Sequence, residues 1–289
     1  MRNQRVSVLG SLCTLLTVVM ALAWIFPIYW IIVTSLKTED QTIQLPPSLI
    51  PWPPNFDAFV YIFQNSPFVR WYANTIFVSV VVTFFSILFA LMCAYALSRL
   101  EFSGKRLIYW SLLVGFMLPF HAVAVPLFMM MNQFNLVNTF AGLILPQIAI
   151  PLSVIVFKQF FDEVPRDFRD AALIDGAGNW RILFRIYLPL NWSITWAMAI
   201  VTFIATWNNF FWPLIVTNST PMLTIPVGMT QVQSTYGVAF ARLCATAVLA
   251  SIPTAAAYIL FQKRVTQGVM AAAGLKWRPR ETGPRLIHS

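Results

Sequence analysis

The sequence contains very little charge. Only 10% of its 289 residues are Asp, Glu, Lys or Arg, whereas 58% are hydrophobic; a soluble globular domain carries about 25% charged residues. Five windows contain no charged residue at all: 6–36, 71–98, 107–157, 186–241 and 243–262. This composition excludes an ordinary soluble domain and is typical of membrane proteins.

Side chains that commonly catalyse reactions or bind metals are also scarce. The two histidines, His121 and His288, have no neighbours suited to a metal site or a catalytic triad. Cys13, Cys93 and Cys244 lie in apolar runs without the spacing of a metal or redox site. We therefore predict no catalytic residues and no metal site, and we interpret His121, which lies near Pro119, as structural.

Two further absences concern the source of energy. No GxxxxGK[ST] phosphate loop is present, and Gly176-Ala177-Gly178 without a preceding strand is a very weak dinucleotide signal. None of the predicted spans contains an acidic residue, although ion-coupled carriers generally need intramembrane carboxylates or unwound ion sites. The chain is therefore predicted to bind no cofactor, and another protein must supply energy for active transport.

The apolar windows predict six membrane-spanning helices, because a span needs about 20 apolar residues. This gives an all-α polytopic protein with a single domain over residues 1–289. The approximate spans are 12–35, 71–97, 108–131, 140–160, 193–216 and 239–262. The first apolar run is much longer than that of a signal peptide, so we interpret it as an uncleaved anchor.

The basic residues predict the orientation. With the N-terminus in the cytoplasm, sixteen of the nineteen Lys and Arg residues fall on the cytoplasmic side, and only Lys37, Arg70 and Arg242 fall outside. This asymmetry follows the positive-inside rule, and six spans return the C-terminus to the cytoplasm. Because the net charge of +9 is spread among loops, it indicates topology and not nucleic-acid binding.

Three segments between or after the spans are long. The external loop 37–70 contains five prolines between 46 and 54 interleaved with aromatic residues, which predicts an ordered, extended cap. It is either a linker or a platform for an extracytoplasmic partner. The cytoplasmic loop 161–190 and the tail 263–289 lie on the other side of the membrane.

Residues 164–190 are the most charged interruption between two apolar runs. Pro165 and the acidic residues after it predict a short helix, on which Phe168, Ala171, Ala172 and Asp175 share one face. The glycines at 176 and 178 then end the helix. Patterning leaves two interpretations open: a docking helix for another protein, or an amphipathic connector on the lipid surface.

At this segment the chain resembles a known family. The pattern is similar to the "EAA…G…LP" signature of ABC importer permeases, and in particular to the carbohydrate-uptake, maltose-type subfamily. The matching residues are Asp170-Ala171-Ala172, Ile174-Asp175-Gly176-Ala177, Ile186 and Leu188-Pro189-Leu190. Supporting matches are Asn74-Thr75, Pro119, Pro126, Leu136, Asn138-Thr139, Trp207-Asn208-Asn209, Trp212-Pro213, Pro226-Val227-Gly228, Gln262, Gly268 and Lys276.

The resemblance implies a role in a larger machine in the bacterial inner membrane. The implied partners are a second homologous permease, a cytoplasmic ATPase dimer that holds ATP and Mg, and a periplasmic solute-binding protein. The 164–190 segment would then form a coupling helix that fits a cleft in the ATPase. The ATPase-coupling candidates are Asp170, Ala171, Ala172, Asp175, Gly176, Ala177, Leu188 and Pro189.

Two positions depart from the family pattern. The family usually has Glu where this sequence has Asp170, which shortens the reach of the carboxylate and keeps its charge. A proline commonly follows three residues after Leu190, but Ser193 is present here. We therefore expect a less kinked entry into the fifth span.

The sequence thus predicts a permease subunit of an ATP-driven importer for a sugar or sugar derivative. Trp207, Asn208 and Asn209 are candidates for the substrate path, since amides at membrane depth need hydrogen-bond partners such as sugar hydroxyls. The alternative is that they bond to neighbouring helices. An ion-coupled secondary carrier or a channel without an ATPase is the second hypothesis, and the missing catalytic groups disfavour a membrane-embedded enzyme.

Overall fold

The computed structural model describes the backbone of residues 8–232 and 238–272 and the side chains of 10–232 and 238–260. All regular secondary structure in these ranges is helical. Part of the predicted tail 263–289, namely 273–289, lies outside the described residues. The same applies to several residues used in the sequence analysis: Arg2, Arg5, Lys276, Arg278, Arg280, Arg285 and His288.

The helices follow one another with short connections. In chain order they are α1 (Val8–Ser35), α2 (Glu39–Thr42), α3 (Asp57–Asn65), α4 (Phe68–Arg99), α5 (Lys105–Met117), α6 (Phe120–Gln133), α7 (Phe140–Ile148), α8 (Pro151–Glu163), α9 (Asp167–Ile174), α10 (Asn179–Ile182), α11 (Leu188–Leu190), α12 (Trp192–Trp207), α13 (Phe211–Val216), α14 (Ile225–Gly228) and α15 (Phe240–Ala272). A π-helical turn, Leu183–Tyr187, joins α10 to α11, and 3-10 turns at Thr220–Met222 and Met229–Val232 flank α14.

Three continuous helices are long and apolar enough to cross a bilayer: Gly10–Ser35, Phe68–Arg99 and Phe240–Leu260. They match the first, second and sixth predicted spans. Most side chains of the first and third face outward from the protein, including large apolar ones such as Leu22 and Ile259. This exposure is expected of helices that contact lipid or another subunit.

The remaining predicted spans are broken helices. The third, 108–131, is bent by 105° between α5 and α6, and the fourth, 140–160, by 41° between α7 and α8. In both cases the residue before a proline adopts an extended conformation, at Leu118 and at Ile150, because the proline ring disfavours helical geometry in the preceding residue.

The fifth predicted span, 193–216, is also divided. It consists of α12 and the short α13, separated by an interruption after Trp207. Pro213 lacks the N–H that would continue the helical hydrogen bonds across this interruption. Before α12, the chain turns by 85° at Asn191.

The chain divides into two compact units. The first comprises Met1–Asn74 and Ser219–Pro253, and the second comprises Thr75–Asn218 and Thr254–Ser289. In the first unit, Asn74 Nδ2 donates to the carbonyls of Pro221 and Leu223 at 2.8 and 2.9 Å. Trp71 Nε1 donates to the Thr220 carbonyl at 2.8 Å. The segment 219–228 is thereby held against the start of α4.

The loop 37–70 belongs to the first unit and is not wholly extended, since it contains α2 and α3. The Glu39 carboxylate accepts hydrogen bonds from the amides of Ala241 and Arg242 at the start of α15. The Arg242 guanidinium lies 3.6 Å from the ring centroid of Tyr61. Burial lowers the pKa of the Lys37 ammonium, which donates to the Ser48 carbonyl.

The second unit contains the main apolar core. Its fully buried members come from α4, α8, the 182–187 region and α12, and they include Leu97, Phe157, Phe161, Ile182 and Tyr187. The rings of Tyr95, Phe161 and Tyr187 pack edge to face with centroid separations of 5.3 Å. Ile182 and Tyr187 of the 164–190 segment therefore lie inside the core, as does Phe161 just before it. The rest of the segment emerges directly from this core.

Candidate functional site

The 164–190 segment folds as a short helix followed by a tight reversal. Arg166 begins the first turn, since its carbonyl accepts hydrogen bonds from the amides of Arg169 and Asp170. Helix α9 ends at Ile174, and Gly176 has a φ of +75°, a left-handed conformation that favours glycine. The Ala177 amide then donates back to the Ala172 carbonyl at 2.9 Å. The predicted helix and its glycine terminator are both present.

The two alanines at the centre of α9 lie in different environments. Ala171 is exposed, whereas Ala172 is half-buried and packs against the core, as does Ala177. A small side chain at 172 lets the helix lie close to the core, because a larger one would push α9 outward. The spacing predicted that Ala171 and Ala172 share one helix face, but in the structure Ala171 contacts solvent and Ala172 contacts the core.

Four side chains of this helix turn form an exposed surface, which we call the docking face: Phe168, Ala171, Ile174 and Asp175. Phe168 is 51% exposed and Ile174 is 87% exposed. An exposed aliphatic side chain beside an aromatic one on a charged helix is typical of an interaction surface. Asp170, a coupling candidate from the sequence, is also exposed and lies 3.7 Å from the Arg169 guanidinium.

The second short helix adds an aromatic pair. Trp180 and Phe184 are exposed and stack with parallel rings, 6.1 Å between centroids and 5° between planes. Leu183 and Tyr187, in the π-helical turn that follows, are buried. The segment therefore exposes the rings of Trp180 and Phe184, whereas Leu183 and Tyr187 anchor it in the core.

Arg99 is the main link between the segment and the rest of its unit. From the end of α4, one nitrogen of its guanidinium donates to the carbonyls of Phe161 and Val164. Phe161 lies in the last turn of α8, whose carbonyls lack helical partners. Tyr95 adds a second link from α4, because its hydroxyl donates to Asn179 Oδ1 at 3.2 Å. Sequence patterning had assigned neither residue a role in the site.

The exit of the segment leads straight into α12. Leu188 is half-buried against the core, and Pro189 is exposed within the short α11. Asn191 Nδ2 donates to the Tyr187 carbonyl at 2.8 Å, and its own carbonyl accepts from Thr195 Oγ1 at 2.9 Å. Hydrogen bonds of Asn191 therefore join the end of the segment to the start of α12.

A cleft in the second unit lies where the broken helices meet. Its volume is about 510 Å³, and its lining includes Leu118 between α5 and α6, Ala149 and Ile150 between α7 and α8, and Asn209 after α12. Non-helical backbone at membrane depth is tolerated where it is buried or lines a water-filled cavity. Convergence of three helix interruptions on one cleft is thus the arrangement expected of a transport path.

Only one of the three predicted path residues lines this cleft. Asn209 Nδ2 donates to Gln147 Oε1 at 2.7 Å, and Gln147 also lines the cleft. Trp207 is buried at 1% exposure and stacks on Phe203 with 5.9 Å between centroids. Asn208 is exposed, and its side-chain amide donates to the Ile204 carbonyl of its own helix at 2.9 Å.

The cleft combines few polar groups with apolar walls. Beside the Gln147 and Asn209 amides, it has the hydroxyl side chains of Thr202 and Thr206 and the ring of Phe120. This combination suits a neutral, hydroxyl-rich solute. Gln147 has no motif around it in the sequence, and its role follows only from the pairing with Asn209.

The structure adds no sign of metal chemistry. Among the described residues, no group of three or more His, Cys, Asp or Glu side chains is placed to hold a metal ion. The His121 ring lies 4.4 Å from that of Phe211, centroid to centroid, in an aromatic contact that suits the structural role expected of it.

Comparison with known proteins decides the family. Residues 86–269 match the family described as "Binding-protein-dependent transport system inner membrane component". The chain belongs to this family. It is 33% identical over 279 residues to the arabinooligosaccharides transport system permease protein AraQ of Halalkalibacterium halodurans, covering 96% of this chain and 100% of that protein.

Further relatives and solved structures agree. The diacetylchitobiose uptake system permease protein NgcG of Streptomyces coelicolor is 33% identical over 249 residues, 85% of this chain and 82% of that protein. The crystal structure of a bacterial ABC transporter that imports the acidic polysaccharide alginate superposes with a TM-score of 0.80 at 22% identity, over 91% of this chain and 98% of that chain. The ABC permease fold is therefore shared.

Family membership confirms three predictions. The chain is a permease of a binding-protein-dependent ABC importer, it lies in the inner membrane, and it crosses that membrane more than once. The relatives are named as permease proteins of transport or uptake systems. The second hypothesis, an ion-coupled carrier or channel that acts without an ATPase, is not favoured by these matches.

Proposed function

We propose that this permease translocates a carbohydrate through the cleft around Asn209 and is driven by an ATPase that docks on the 164–190 segment. The named substrates of its relatives are arabinooligosaccharides, diacetylchitobiose and alginate, all of them carbohydrates. The amides and hydroxyls of the cleft fit sugar hydroxyls, and its apolar walls fit the non-polar faces of sugar rings.

The proposed topology has six spans with both termini in the cytoplasm. Three single helices and three bent pairs supply up to six crossings by length and composition. The distribution of basic residues supports the orientation. In this arrangement the 164–190 segment lies in the cytoplasm, and the loop 37–70 lies in the periplasm.

The proposed assembly contains three further components. These are a second homologous permease, a cytoplasmic ATPase dimer that binds ATP and Mg, and a periplasmic solute-binding protein. An alginate ABC transporter of the same fold has been solved in complex with an alginate-pentasaccharide-bound periplasmic protein, at a TM-score of 0.61. This chain itself is proposed to bind no cofactor and no nucleic acid.

In the proposed mechanism, closure of the ATPase moves α9 and alternates access to the cleft. The docking face meets the ATPase, and Gly176 supplies the tight reversal that presents it. Arg99 and Tyr95 couple the segment to α4, while Leu188, Pro189 and Asn191 couple it to α12. Since α12 ends at the cleft, its displacement changes the position of Asn209 relative to Gln147.

The observation that carries the proposal is the exposed docking face on a segment anchored to the core by Arg99. A cross-linking experiment tests it directly. Cys13, Cys93 and Cys244 would first be replaced by Ser or Ala, and a single cysteine introduced by Ile174→Cys. We expect cross-linking to a cysteine in the ATPase cleft, with a yield that changes when ATP is added.

The matched control is Leu45→Cys, since Leu45 is also 87% exposed but lies in the external loop. We expect no cross-link to the ATPase from this position. Failure of the Ile174 position to cross-link in an assembled, transport-competent complex would contradict the docking assignment.

A further inference from the structure

A pocket separate from both the docking face and the cleft lies at the start of α5. Its volume is about 490 Å³, and it is lined by three cationic side chains, Lys105, Arg106 and Lys158, and by two carboxylates, Glu101 and Asp162. We call it the basic pocket. All of its lining residues belong to the second unit, and its side chains carry one more positive charge than negative.

The two lysines are held in place by the carboxylates. Lys158 Nζ lies 2.6 Å from Asp162 Oδ2, while the other oxygen of Asp162 accepts from Ser98 Oγ at 2.6 Å. Lys105 Nζ lies 3.4 Å from Glu101 Oε1 and also donates to the Leu100 carbonyl at 2.9 Å, which leaves one of its donors for a ligand. An ammonium has three donors, so each lysine can still donate to an added acceptor. The ion pairs therefore position the cations without saturating them.

Arg106 has no comparable partner. Within the part of the chain that the structure describes, its guanidinium takes part in neither an ion pair nor a hydrogen bond, and the side chain is exposed. A guanidinium presents a planar fork of N–H donors that matches two oxygens of a phosphate. An unpaired arginine beside two positioned lysines is therefore suited to an anion with several oxygens.

The backbone at the basic pocket, like its cationic side chains, contributes positive charge. Gly104 precedes α5 with a φ of +83° and provides no side chain to cap the first-turn amides of the helix. The N-terminus of a helix carries a partial positive charge that favours anions. A Cβ at Gly104 would meet no atom within 4 Å, so no other side chain covers the residue that precedes the helix.

Apolar side chains continue from the pocket along α5. Leu107, Ile108 and Trp110 are 72%, 44% and 54% exposed. The charged group of a ligand can thus occupy the pocket while a hydrocarbon chain attached to it lies on the helix. A soluble phosphate compound would leave this apolar surface uncovered.

We propose that the basic pocket binds the phosphate of an anionic glycerophospholipid, with the acyl chains along α5. Arg106 donates hydrogen bonds to the phosphate oxygens, Lys105 and Lys158 supply further positive charge, and Trp110 lies at the depth where headgroups meet hydrocarbon. Basic pockets between membrane helices on the cytoplasmic side are suited to anionic headgroups. The excess positive charge favours phosphatidylglycerol over the zwitterionic phosphatidylcholine.

The test uses the complete transporter in detergent, stripped of lipid and then titrated with phosphatidylglycerol or phosphatidylcholine of identical acyl chains. Native mass spectrometry would count the bound lipids. We expect preferential retention of phosphatidylglycerol. Arg106→Gln should weaken phosphatidylglycerol binding about fivefold, because one Lys or Arg near an anionic surface contributes roughly 1 kcal/mol. It should weaken the binding of the zwitterionic phosphatidylcholine less, so that the preference for phosphatidylglycerol falls.

Arg181→Gln is the charge-matched control, since Arg181 is also exposed but lies in the 164–190 segment. It should leave phosphatidylglycerol binding unchanged. Equal retention of the two lipids by the unaltered protein, or an equal effect of both substitutions, would overturn the proposal.

Two further measurements distinguish a lipid in the basic pocket from a soluble phosphate compound and from another subunit. Glycerol 1-phosphate, which has the headgroup chemistry without acyl chains, should fail to displace the lipid at equal concentration. Full displacement would assign the pocket to a soluble phosphate compound and not to lipid. Loss of the ATPase from the Arg106→Gln complex with unchanged lipid binding would instead assign Arg106 to a subunit contact, which would also overturn the proposal.

Discussion

The guanidinium carbon of Arg99 lies 5.3 Å from the ring centroid of Tyr187. The same side chain donates to two backbone carbonyls at the end of α8, those of Phe161 and Val164. One residue of α4 therefore connects α8 to the π-helical turn that follows α10. The 164–190 segment is consequently anchored to the core at both ends.

Arg99→Met should destabilise the permease and weaken its coupling to ATP hydrolysis. Methionine keeps much of the length but leaves two largely buried carbonyls without a donor, a loss of about 2 kcal/mol. Thermal unfolding in detergent and the ratio of substrate transported to ATP hydrolysed would measure the two effects. Arg166→Met is the matched control, because Arg166 is exposed, and an equal loss in both variants would contradict the linking role of Arg99.

Tryptophan substitutions at the two neighbouring alanines should have different consequences. Ala171→Trp adds bulk to the exposed docking face and should abolish co-purification of the ATPase while leaving thermal stability almost unchanged. Ala172→Trp adds bulk against the core and should also lower stability, by about 1–3 kcal/mol. Equal stability of the two variants, or normal ATPase association of Ala171→Trp, would show that the docking face is assigned incorrectly.

The adjacent asparagines of the predicted path provide a second matched pair. Asn209→Leu removes the hydrogen bond to Gln147 inside the cleft and should lower uptake about tenfold, as an interhelical hydrogen bond of about 1–2 kcal/mol implies. Asn208→Leu removes only a bond to the carbonyl of Ile204 in its own helix and should change uptake less than twofold. Transport assays in proteoliposomes with the complete complex would measure both. A larger loss of uptake in Asn208→Leu than in Asn209→Leu would exclude Asn209 from the substrate path.

Gln147→Leu combined with Asn209→Leu tests whether the two amides act as a pair. Because the single changes break the same hydrogen bond, the double variant should lose little more uptake than either single variant. Additive losses would mean that the two side chains act independently on the solute.

Gly142 should tolerate no larger residue. A Cβ there would lie 2.1 Å from the Leu136 carbonyl oxygen, a backbone atom that cannot move aside easily. Gly142→Ala should therefore lower the unfolding temperature measurably, with a free-energy loss of about 1–3 kcal/mol. Gly178→Ala is the control, since its Cβ would meet no atom within 4 Å, and an equal shift in both variants would contradict the steric argument.

Several features of the chain follow from its sequence alone. The charge-free windows predict the apolar segments, since burying a charge in hydrocarbon is unfavourable at any position along a helix. The pattern from Asp170 to Leu190 predicts the docking helix and its glycine terminator, because helix breaking by Gly176 is a local property of the backbone. The missing phosphate loop predicts that any ATP is bound by another protein, and this stays a prediction.

Other features depend on contacts between residues that are far apart in the chain. Spacing placed Ala171 and Ala172 on one face, and only the packing of α9 on the core turned the second inward. The sequence predicted six uninterrupted spans, whereas the bends of 105° and 41° and their meeting at one cleft depend on how the helices pack. Arg99 joins Phe161 across 62 residues, and Asn209 joins Gln147 across 62, distances over which sequence patterning carries no information. Local backbone chemistry thus determined the elements, whereas long-range packing decided which side chains face the core, the cleft and the docking surface.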